Sequence, residues 1–193
     1  LSGHPEKIIF LTCDAYGVLP PVAKLNPNQA MYHFISGYTA KVAGTERGVT
    51  GPTATFSPCF GGPFLTLHPY EYARLLEKKM SDFKVPVYLV NTGWIGANAN
   101  SGAKRISLPL TRKIIHAILN GSIEKVNFKT DPYFGFSIPK SLEDIDPLIL
   151  NPQSSWSNEE EYTKAAKSLV EKFKNNYSKY DLGDDAILSG GPL

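Results

Sequence analysis

The sequence predicts an α/β fold built around a mixed sheet, and three observations support this class. Residues 7–13 form a short, continuous apolar run with β-branched and aromatic members, and residues 85–90 form a second run of this kind. A stretch that begins at Pro69 and lies between these two runs has apolar residues at helical spacing. Strands that alternate with amphipathic helices are typical of α/β domains.

The first predicted strand, residues 7–13, has the continuous apolar character of a strand buried on both faces. Such a strand needs neighbouring strands on both sides. Asp14 and the pair Pro20-Pro21 follow it, and proline cannot continue a β-ladder. We therefore expect this strand to end near Asp14.

A helix is predicted from Asn26-Pro27 to about Lys41. Asparagine can cap a helix and proline fits its first position. The expected buried stripe consists of Met31, Phe34, Ile35 and Tyr38. Residues 44–62 follow as a long connection rich in Gly, Pro and Thr, and loops of this length are often functional.

A short strand over residues 64–67 would precede the helix that Pro69 opens. That helix is expected to bury Tyr72, Leu75, Leu76 and Met80, and residues 85–90 form the next strand. The order of strand, helix and strand favours a crossover unit.

Two further helices are predicted in the second half of the chain. Residues 109–119 form one, with Ile114, Ile115 and Ile118 on one face. Residues 157–160 read as a capping box for the other, whose stripe runs from Tyr162 to Phe173. Residues 122–156 are expected to be irregular and to wrap the surface, and residues 183–193 to form a polar tail.

Length and composition indicate a single globular domain. The chain has 193 residues and a net charge of +2, which is too small to indicate nucleic acid or an anionic membrane as a partner. No apolar run approaches the roughly 20 residues that span a bilayer. The first residues lack the features of a signal peptide, and Cys13 and Cys59 are expected to be free thiols, so we expect a cytoplasmic protein.

The segment 93–112 is the strongest candidate for a binding site. A Gly/Asn-rich loop leads to the cations Lys104 and Arg105, then to Ile106, and a helix opens at Pro109. Lysine can pair with a phosphate, and the flat guanidinium of arginine can stack on a base. The segment therefore resembles a pocket for a nucleotide base, although a solvated pair of cations before a helix is the alternative.

The same segment imitates a P-loop but fails its spacing. A P-loop has four residues between its glycines, with Lys and Ser/Thr directly after the second glycine. Here five residues separate Gly96 from Gly102, Ala103 intervenes, and Arg105 stands where the hydroxyl belongs. We reject a P-loop at this position.

Other polar residues have competing interpretations. Asp14 could hold Mg²⁺ at the end of its strand or could bond the backbone of the following turn, and we favour the second. Arg47 could hold a carboxylate or phosphate, or could pair with Glu46 and fix its loop. The four histidines share no metal-ligand spacing, and no nucleophile motif is present.

Several of these segments together resemble the ATP-dependent phosphoenolpyruvate carboxykinases. The resemblance is carried in order by residues 10–21, 32–41, 44–48, 91–94 and 104–107. It is close up to about Leu119 and looser to the C-terminus. It implies that residues 1–193 are the C-terminal part of a P-loop-type mononucleotide-binding domain, whose mixed sheet is incomplete without upstream strands.

The resemblance also implies the roles of individual residues. Arg105, Ile106 and Thr111 match the adenine-nucleotide contacts of the family, with Lys104 beside them, and Phe64 matches an aromatic residue near the substrate. The P-loop and the ligands of Mn²⁺ and Mg²⁺ are expected upstream, and Asp14 matches none of them. No catalytic residue and no metal ligand is expected in this segment.

In the family reaction, oxaloacetate loses CO₂ and the resulting enolate attacks the γ-phosphoryl group of ATP, which yields phosphoenolpyruvate and ADP. The implied role of this segment is to supply the nucleotide pocket and part of the cleft, in a gluconeogenic lyase that could form oligomers. Two alternatives stay open: a noncatalytic nucleotide-binding module of the same fold, and a phosphotransferase that acts on another carboxylate.

Overall fold

The computed structural model describes residues 3–41, 48 and 50–193. Its strands are β1 (Ile8–Thr12), β2 (Val22–Leu25), β3 (Tyr38–Lys41), β4 (Thr53–Phe56), β5 (Val87–Asn91), β6 (Trp94–Ile95), β7 (Lys104–Arg105), β8 (Phe128–Thr130) and β9 (Ser137–Pro139). Its α-helices are α1 (Pro27–Ser36), α2 (Pro69–Phe83), α3 (Leu108–Leu119), α4 (Pro147–Leu150), α5 (Pro152–Ser155), α6 (Glu159–Tyr177) and α7 (Asp185–Leu188).

Five strands form the main sheet in the order β1-β5-β2-β9-β8. β1 and β5 are parallel, and every other neighbouring pair in this sheet is antiparallel. The mixed α/β sheet predicted from the sequence is therefore confirmed. Two separate ribbons, β3 with β4 and β6 with β7, complete the strand pairing among the described residues.

Helices cover both faces of the main sheet. On one face, Phe10 and Leu89 of the sheet share a hydrophobic cluster with Met31 of α1 and Phe173 of α6. On the other face, Val90 packs in a cluster with Ile114 of α3. Alternate residues of a strand point to opposite faces, so each strand contributes to both layers.

β1 differs from the prediction of a strand buried on both faces. It lies at the edge of the sheet and pairs only with β5 among the described strands. Phe10 is buried, but the next residue, Leu11, is 56 % exposed. β1 is therefore an edge strand whose outer edge pairs with no described strand and whose second face is only partly covered, by contacts of Ile9.

α1 begins as predicted but ends earlier. Asn26 caps it, and Gln29 completes a capping box with bonds of 2.8 and 3.0 Å between the two residues. Gly37 takes a left-handed conformation with φ +53° and stops the helix after Ser36. The extension to Lys41 was wrong, because Tyr38 begins β3 instead.

The predicted strand at residues 64–67 was also wrong. Residues Gly62–Phe64 form a 3₁₀ turn, after a first 3₁₀ turn at Pro58–Phe60. Two positive φ angles at non-glycine residues, Cys59 and Phe60, bend the chain there. Within the described part of the predicted connection, β4 is a strand that the sequence interpretation missed.

α2, β5 and α3 agree with their predicted positions. Met80 is buried and Tyr72 and Leu76 are partly buried, but Leu75 is 56 % exposed, against the prediction that it points inward. In α3, Ile114 and Ile118 are fully buried, as its stripe predicts, whereas Ile115 of the same predicted face is only partly buried.

Two segments that were predicted to be irregular or a polar tail contribute residues to the core. Residues 122–156 supply β8 and β9 to the main sheet, and Phe134 and Phe136 are almost fully buried. In the predicted tail, α7 places Ile187 in the core. Three-residue strands and four-residue helices are too short to show a period, so the sequence pattern could not predict them.

α6 carries the predicted stripe, with Tyr162, Leu169 and Phe173 buried. Its cap is Asn158 rather than the first residue of the proposed box, because the Asn158 side chain accepts bonds from Glu160 N and Glu161 N. In the described part of the chain, no helix has both the length and the apolar character needed to cross a membrane.

Candidate functional site

The candidate site lies where the parallel strands β1 and β5 end. Their carboxyl ends meet at one edge of the sheet, the place where α/β sheets commonly bind ligands. The segments that follow them are in direct contact: Thr92 N donates to Thr12 O over 2.9 Å, and Trp94 N donates to Asp14 O over 2.9 Å.

Asn91 organises this edge. Its side chain is fully buried, and its Oδ1 accepts hydrogen bonds from Asp14 N over 3.0 Å and from Gly93 N over 2.8 Å. Its Nδ2 donates to Leu19 O over 3.0 Å. A buried amide with all of these partners joins the two strand ends into one rigid unit.

Asp14 is a structural residue of the same unit. Its fully buried carboxylate accepts bonds of 2.7–2.8 Å from the backbone N–H groups of Tyr16, Val18 and Leu19, and one of 2.7 Å from Tyr38 Oη. Burial raises the pKa of the carboxyl group, while these donors act in the opposite direction. The contacts agree with the interpretation of Asp14 as a turn residue.

The Gly/Asn-rich segment is the loop of a short hairpin. β6 and β7 pair in an antiparallel register that places Trp94 opposite Arg105. Between them, residues 96–103 turn through left-handed Gly96 and Gly102 and a 3₁₀ turn at Ala99–Ser101. Ala99 N donates to Ala15 O over 2.9 Å, so the loop packs on the turn after β1.

This geometry agrees with the rejection of a P-loop. A P-loop joins a strand of the main sheet directly to a helix, with its backbone N–H groups aimed at phosphates. The loop seen here joins two strands of a separate ribbon instead.

Arg105 is held in a defined orientation although its side chain is exposed. Its Nε donates to Thr92 O over 3.0 Å, and its Cζ lies 5.2 Å from the centroid of the Trp94 ring. Its Nη2 lies 3.9 Å from Cys13 Sγ. The guanidinium is thereby fixed at the carboxyl end of β1.

The residues after Arg105 lead directly into α3. Ile106 is 6 % exposed, and its N–H donates to Gly93 O over 2.8 Å. Ser107 caps the helix by accepting a bond from Leu110 N. Thr111 is 8 % exposed, and its Oγ1 donates to Ser107 O over 3.2 Å.

The structure thus brings together four of the five residues singled out from the sequence. Lys104 and Arg105 form β7, Ile106 lies in the link that follows, and Thr111 is in the first turn of α3, with Lys104 exposed. Phe64 lies elsewhere, in a 3₁₀ turn that precedes α2, and is 87 % exposed. No contact that the structure describes joins Phe64 to the other four.

Cys13 is a residue of this edge that the sequence interpretation did not connect with the site. It is a buried free thiol, and Cys59 is free as well, as predicted. Burial raises the pKa of Cys13, whereas the neighbouring charge of Arg105 lowers it. The candidates Glu46 and Arg47 lie outside the described residues.

The sequence interpretation included Trp94 in the candidate segment 93–112 without giving it a role, and it missed Trp156. The indole N–H of Trp156 donates to Gly17 O over 2.8 Å and braces the turn under the hairpin loop. Nothing in the local sequence around Trp156 indicates this, because 139 residues separate the partners.

The histidine, cysteine and acidic side chains give no candidate metal centre. Over residues 3–41, 48 and 50–193, no group of three or more of these side chains is placed to hold a metal ion.

The amino-acid sequence of this chain is similar to those of known proteins. The sequence model described as Phosphoenolpyruvate carboxykinase matches residues 1–147. A phosphoenolpyruvate carboxykinase (ATP) of Leptospira biflexa is 57 % identical over 182 residues, which cover 94 % of this chain and 34 % of that protein. Those of Caldanaerobacter subterraneus and Allorhizobium ampelinum are 52 % and 51 % identical, covering all of this chain and 37 % and 36 % of their own lengths. The chain therefore spans about a third of the length of the curated relatives it matches.

Proposed function

Because the chain belongs to the phosphoenolpyruvate carboxykinase family, we propose that it supplies the adenine-nucleotide pocket of an ATP-dependent enzyme of this kind. The observation that carries the proposal is the fixed guanidinium of Arg105, held by the Thr92 carbonyl and the Trp94 ring. A flat cation of this kind can stack on a purine or hold a phosphate.

The neighbouring residues suit a planar base. Ile106 presents an apolar, largely buried side chain next to Arg105, and Thr111 fixes the first turn of α3 through its bond to Ser107. Lys104 is exposed and free to meet a phosphate as a point charge. We assign Lys104, Arg105, Ile106 and Thr111 to the nucleotide, and Phe64 to the neighbourhood of the second substrate.

The whole enzyme would convert oxaloacetate and ATP to phosphoenolpyruvate, CO₂ and ADP. The bond to the departing carboxylate breaks, and the oxygen of the resulting enolate forms a bond to the γ-phosphorus of ATP as ADP leaves. The contribution of the described residues is alignment of the nucleotide, which lowers the entropic part of the barrier. Mn²⁺ and Mg²⁺, bound by residues upstream of this segment, would supply charge neutralisation at the enolate and phosphates.

We also propose that residues 1–193 are part of a P-loop-type mononucleotide-binding domain whose sheet continues upstream. Two features of β1 support this. Its outer edge pairs with no described strand, and its residue Leu11 is 56 % exposed. An open edge with an apolar neighbour is a favourable place for another strand to pair. The remaining two thirds of the enzyme would contribute that strand and the P-loop.

The cellular setting follows from the same assignment. We propose a cytoplasmic enzyme of gluconeogenesis that acts on oxaloacetate and ATP, with oligomerisation left open. The second candidate is a noncatalytic nucleotide-binding module of the same fold, which the absence of a metal-ligand cluster among the described residues would equally permit. The sequence upstream separates the two, since only the enzyme requires a P-loop and metal ligands there.

Substitution of Arg105 in the full-length enzyme tests the proposal. Arg105→Ala should weaken ADP binding about tenfold in calorimetry while leaving Mn²⁺ binding nearly intact, because it removes a stacking cation and none of the expected upstream metal ligands. Arg105→Lys should recover little, since lysine lacks the flat guanidinium. Arg112→Ala removes an exposed arginine from the next turn of α3 and serves as the matched control. Unchanged ADP affinity in Arg105→Ala would overturn the assignment of this pocket.

A further inference from the structure

Trp94 and Arg105 face each other across the hairpin formed by β6 and β7. Their Cα atoms are paired in the antiparallel register, and the guanidinium carbon lies 5.2 Å from the centroid of the indole ring. This separation is within the range of a cation–π contact, in which the positive group is attracted to the face of the ring. The guanidinium therefore lies against the indole ring.

The plane of the guanidinium is fixed by a second contact. Arg105 Nε donates a hydrogen bond of 3.0 Å to the carbonyl oxygen of Thr92, two residues before Trp94. The ring contact and the bond to the carbonyl together restrict the guanidinium, while the side chain stays exposed overall. An exposed arginine without such contacts would sample many rotamers.

Trp94 itself is anchored to the buried end of the sheet. Its N–H donates to Asp14 O over 2.9 Å, and the preceding Gly93 is held by the buried Asn91 side chain over 2.8 Å. Added atoms at Gly93 would come within 2.3 Å of the Asp14 backbone, so the approach of the two segments is tight. The half-buried indole is thus a rigid support for a cation that would otherwise be mobile.

We infer that Trp94 is a positioning residue for the nucleotide: it holds the Arg105 guanidinium flat so that the opposite face meets the adenine ring of ATP. This inference rests on the proposed function of the pocket. Because Trp94 already restricts the Arg105 side chain before binding, less conformational entropy is lost when the nucleotide binds. Position 94 therefore needs a flat aromatic face.

The test uses the full-length enzyme and a double-mutant cycle. Trp94→Leu should raise the KM for ATP and the Kd for ADP about fivefold, the size expected for loss of one cation–π support, with kcat and the KM for oxaloacetate unchanged. Trp94→Phe should restore affinity to within about twofold because it returns an aromatic face. In an Arg105→Ala background, Trp94→Leu should cause no further loss, since its effect acts through Arg105.

Four outcomes would overturn the inference. Losses that add in the double variant would show that Trp94 acts independently of Arg105, and a fall in kcat without a change in KM for ATP would indicate a general structural role. Full affinity in Trp94→Leu, with Arg105→Ala still weakened, would refute the inference and leave the proposed function standing. If Arg105→Ala itself bound ADP normally, both would fail. Trp94→Met provides a second non-aromatic variant, with an unbranched and more adaptable side chain, where Trp94→Leu is unstable.

Discussion

Gly17 lies against the backbone of Ala97 so closely that a Cβ at position 17 would come within 2.1 Å of the Ala97 carbonyl oxygen. Gly17 also has a φ of +71°, a conformation that costs other residues free energy. The contact joins the turn after β1 to the hairpin loop before Arg105. The position of the candidate nucleotide pocket therefore depends on a residue 80 or more positions earlier in the chain.

Gly17→Ala should displace the hairpin loop and weaken nucleotide binding. The close approach to Ala97 and the positive φ together should lower the free energy of unfolding by about 2 to 4 kcal/mol. Gly102→Ala is the matched control, because Gly102 lies in the same loop with a φ of +80° but has nothing within 4 Å of an added Cβ. It should cost only about 1 to 2 kcal/mol. Equal losses of stability and of ADP affinity in the two variants would contradict a role for this contact.

Asp14→Asn should reduce stability without affecting metal binding. One carboxylate oxygen accepts from Val18 N and Leu19 N, and the other accepts from Tyr16 N and Tyr38 Oη. An amide offers an acceptor to only one of these pairs. If its Nδ2 faces the second pair, the Tyr38 hydroxyl can turn to accept from it, but Tyr16 N loses its acceptor. We expect a loss of about 2 to 4 kcal/mol in urea unfolding.

Mn²⁺ titration of the full-length Asp14→Asn enzyme separates the structural role from the metal-binding alternative. The affinity should equal that of the unmodified enzyme. Asp82→Asn, at an exposed position of α2, is the control for removal of one carboxylate and should change neither stability nor Mn²⁺ affinity. A stable Asp14→Asn protein that bound Mn²⁺ poorly would show that the carboxylate serves the metal after all.

The part of the site that could be predicted from the sequence is the part that is contiguous. Arg105, Ile106 and Thr111 lie on β7, the link after it and the first turn of α3. The cations and Ile106 before a helix already indicate a pocket, and the family resemblance adds Thr111. The support from Trp94 depends on the pairing of two strands of two residues each, across an eight-residue loop. Pairing of such short strands leaves no period in the sequence.

The fold shows the same division between long and short elements. α3 and α6 have 12 and 19 residues, long enough for an apolar stripe to be recognised. β9 has three residues and lies next to β2, more than 100 positions earlier, so its place in the sheet is set by tertiary pairing. The same reason explains why a segment described as irregular contains core residues.

His33 gives the core a predictable dependence on pH. The imidazole is buried, with its ring centroid 4.8 Å from that of Phe136 and 5.1 Å from that of Phe173, and its Nε2 has no hydrogen-bond partner among the described residues. Burial lowers the pKa of His33 to about 3 because the charged form would lose its hydration. The side chain is therefore neutral in the folded protein at neutral pH.

The sign of the effect follows from comparison with the unfolded chain, in which the pKa of histidine is about 6.5. Below that pH the unfolded chain binds a proton that the folded protein does not, so stability is full above pH 6.5 and falls as the pH falls toward 3. The slope is about 1.4 kcal/mol per pH unit for one such group. His33→Leu should remove this contribution, so that relative to wild type it gains about 2 kcal/mol between pH 7 and pH 5 in urea unfolding. His116→Leu, at an exposed position of α3, should keep the wild-type dependence, and parallel pH profiles for wild type and His33→Leu would mean that the buried ring is not the group responsible.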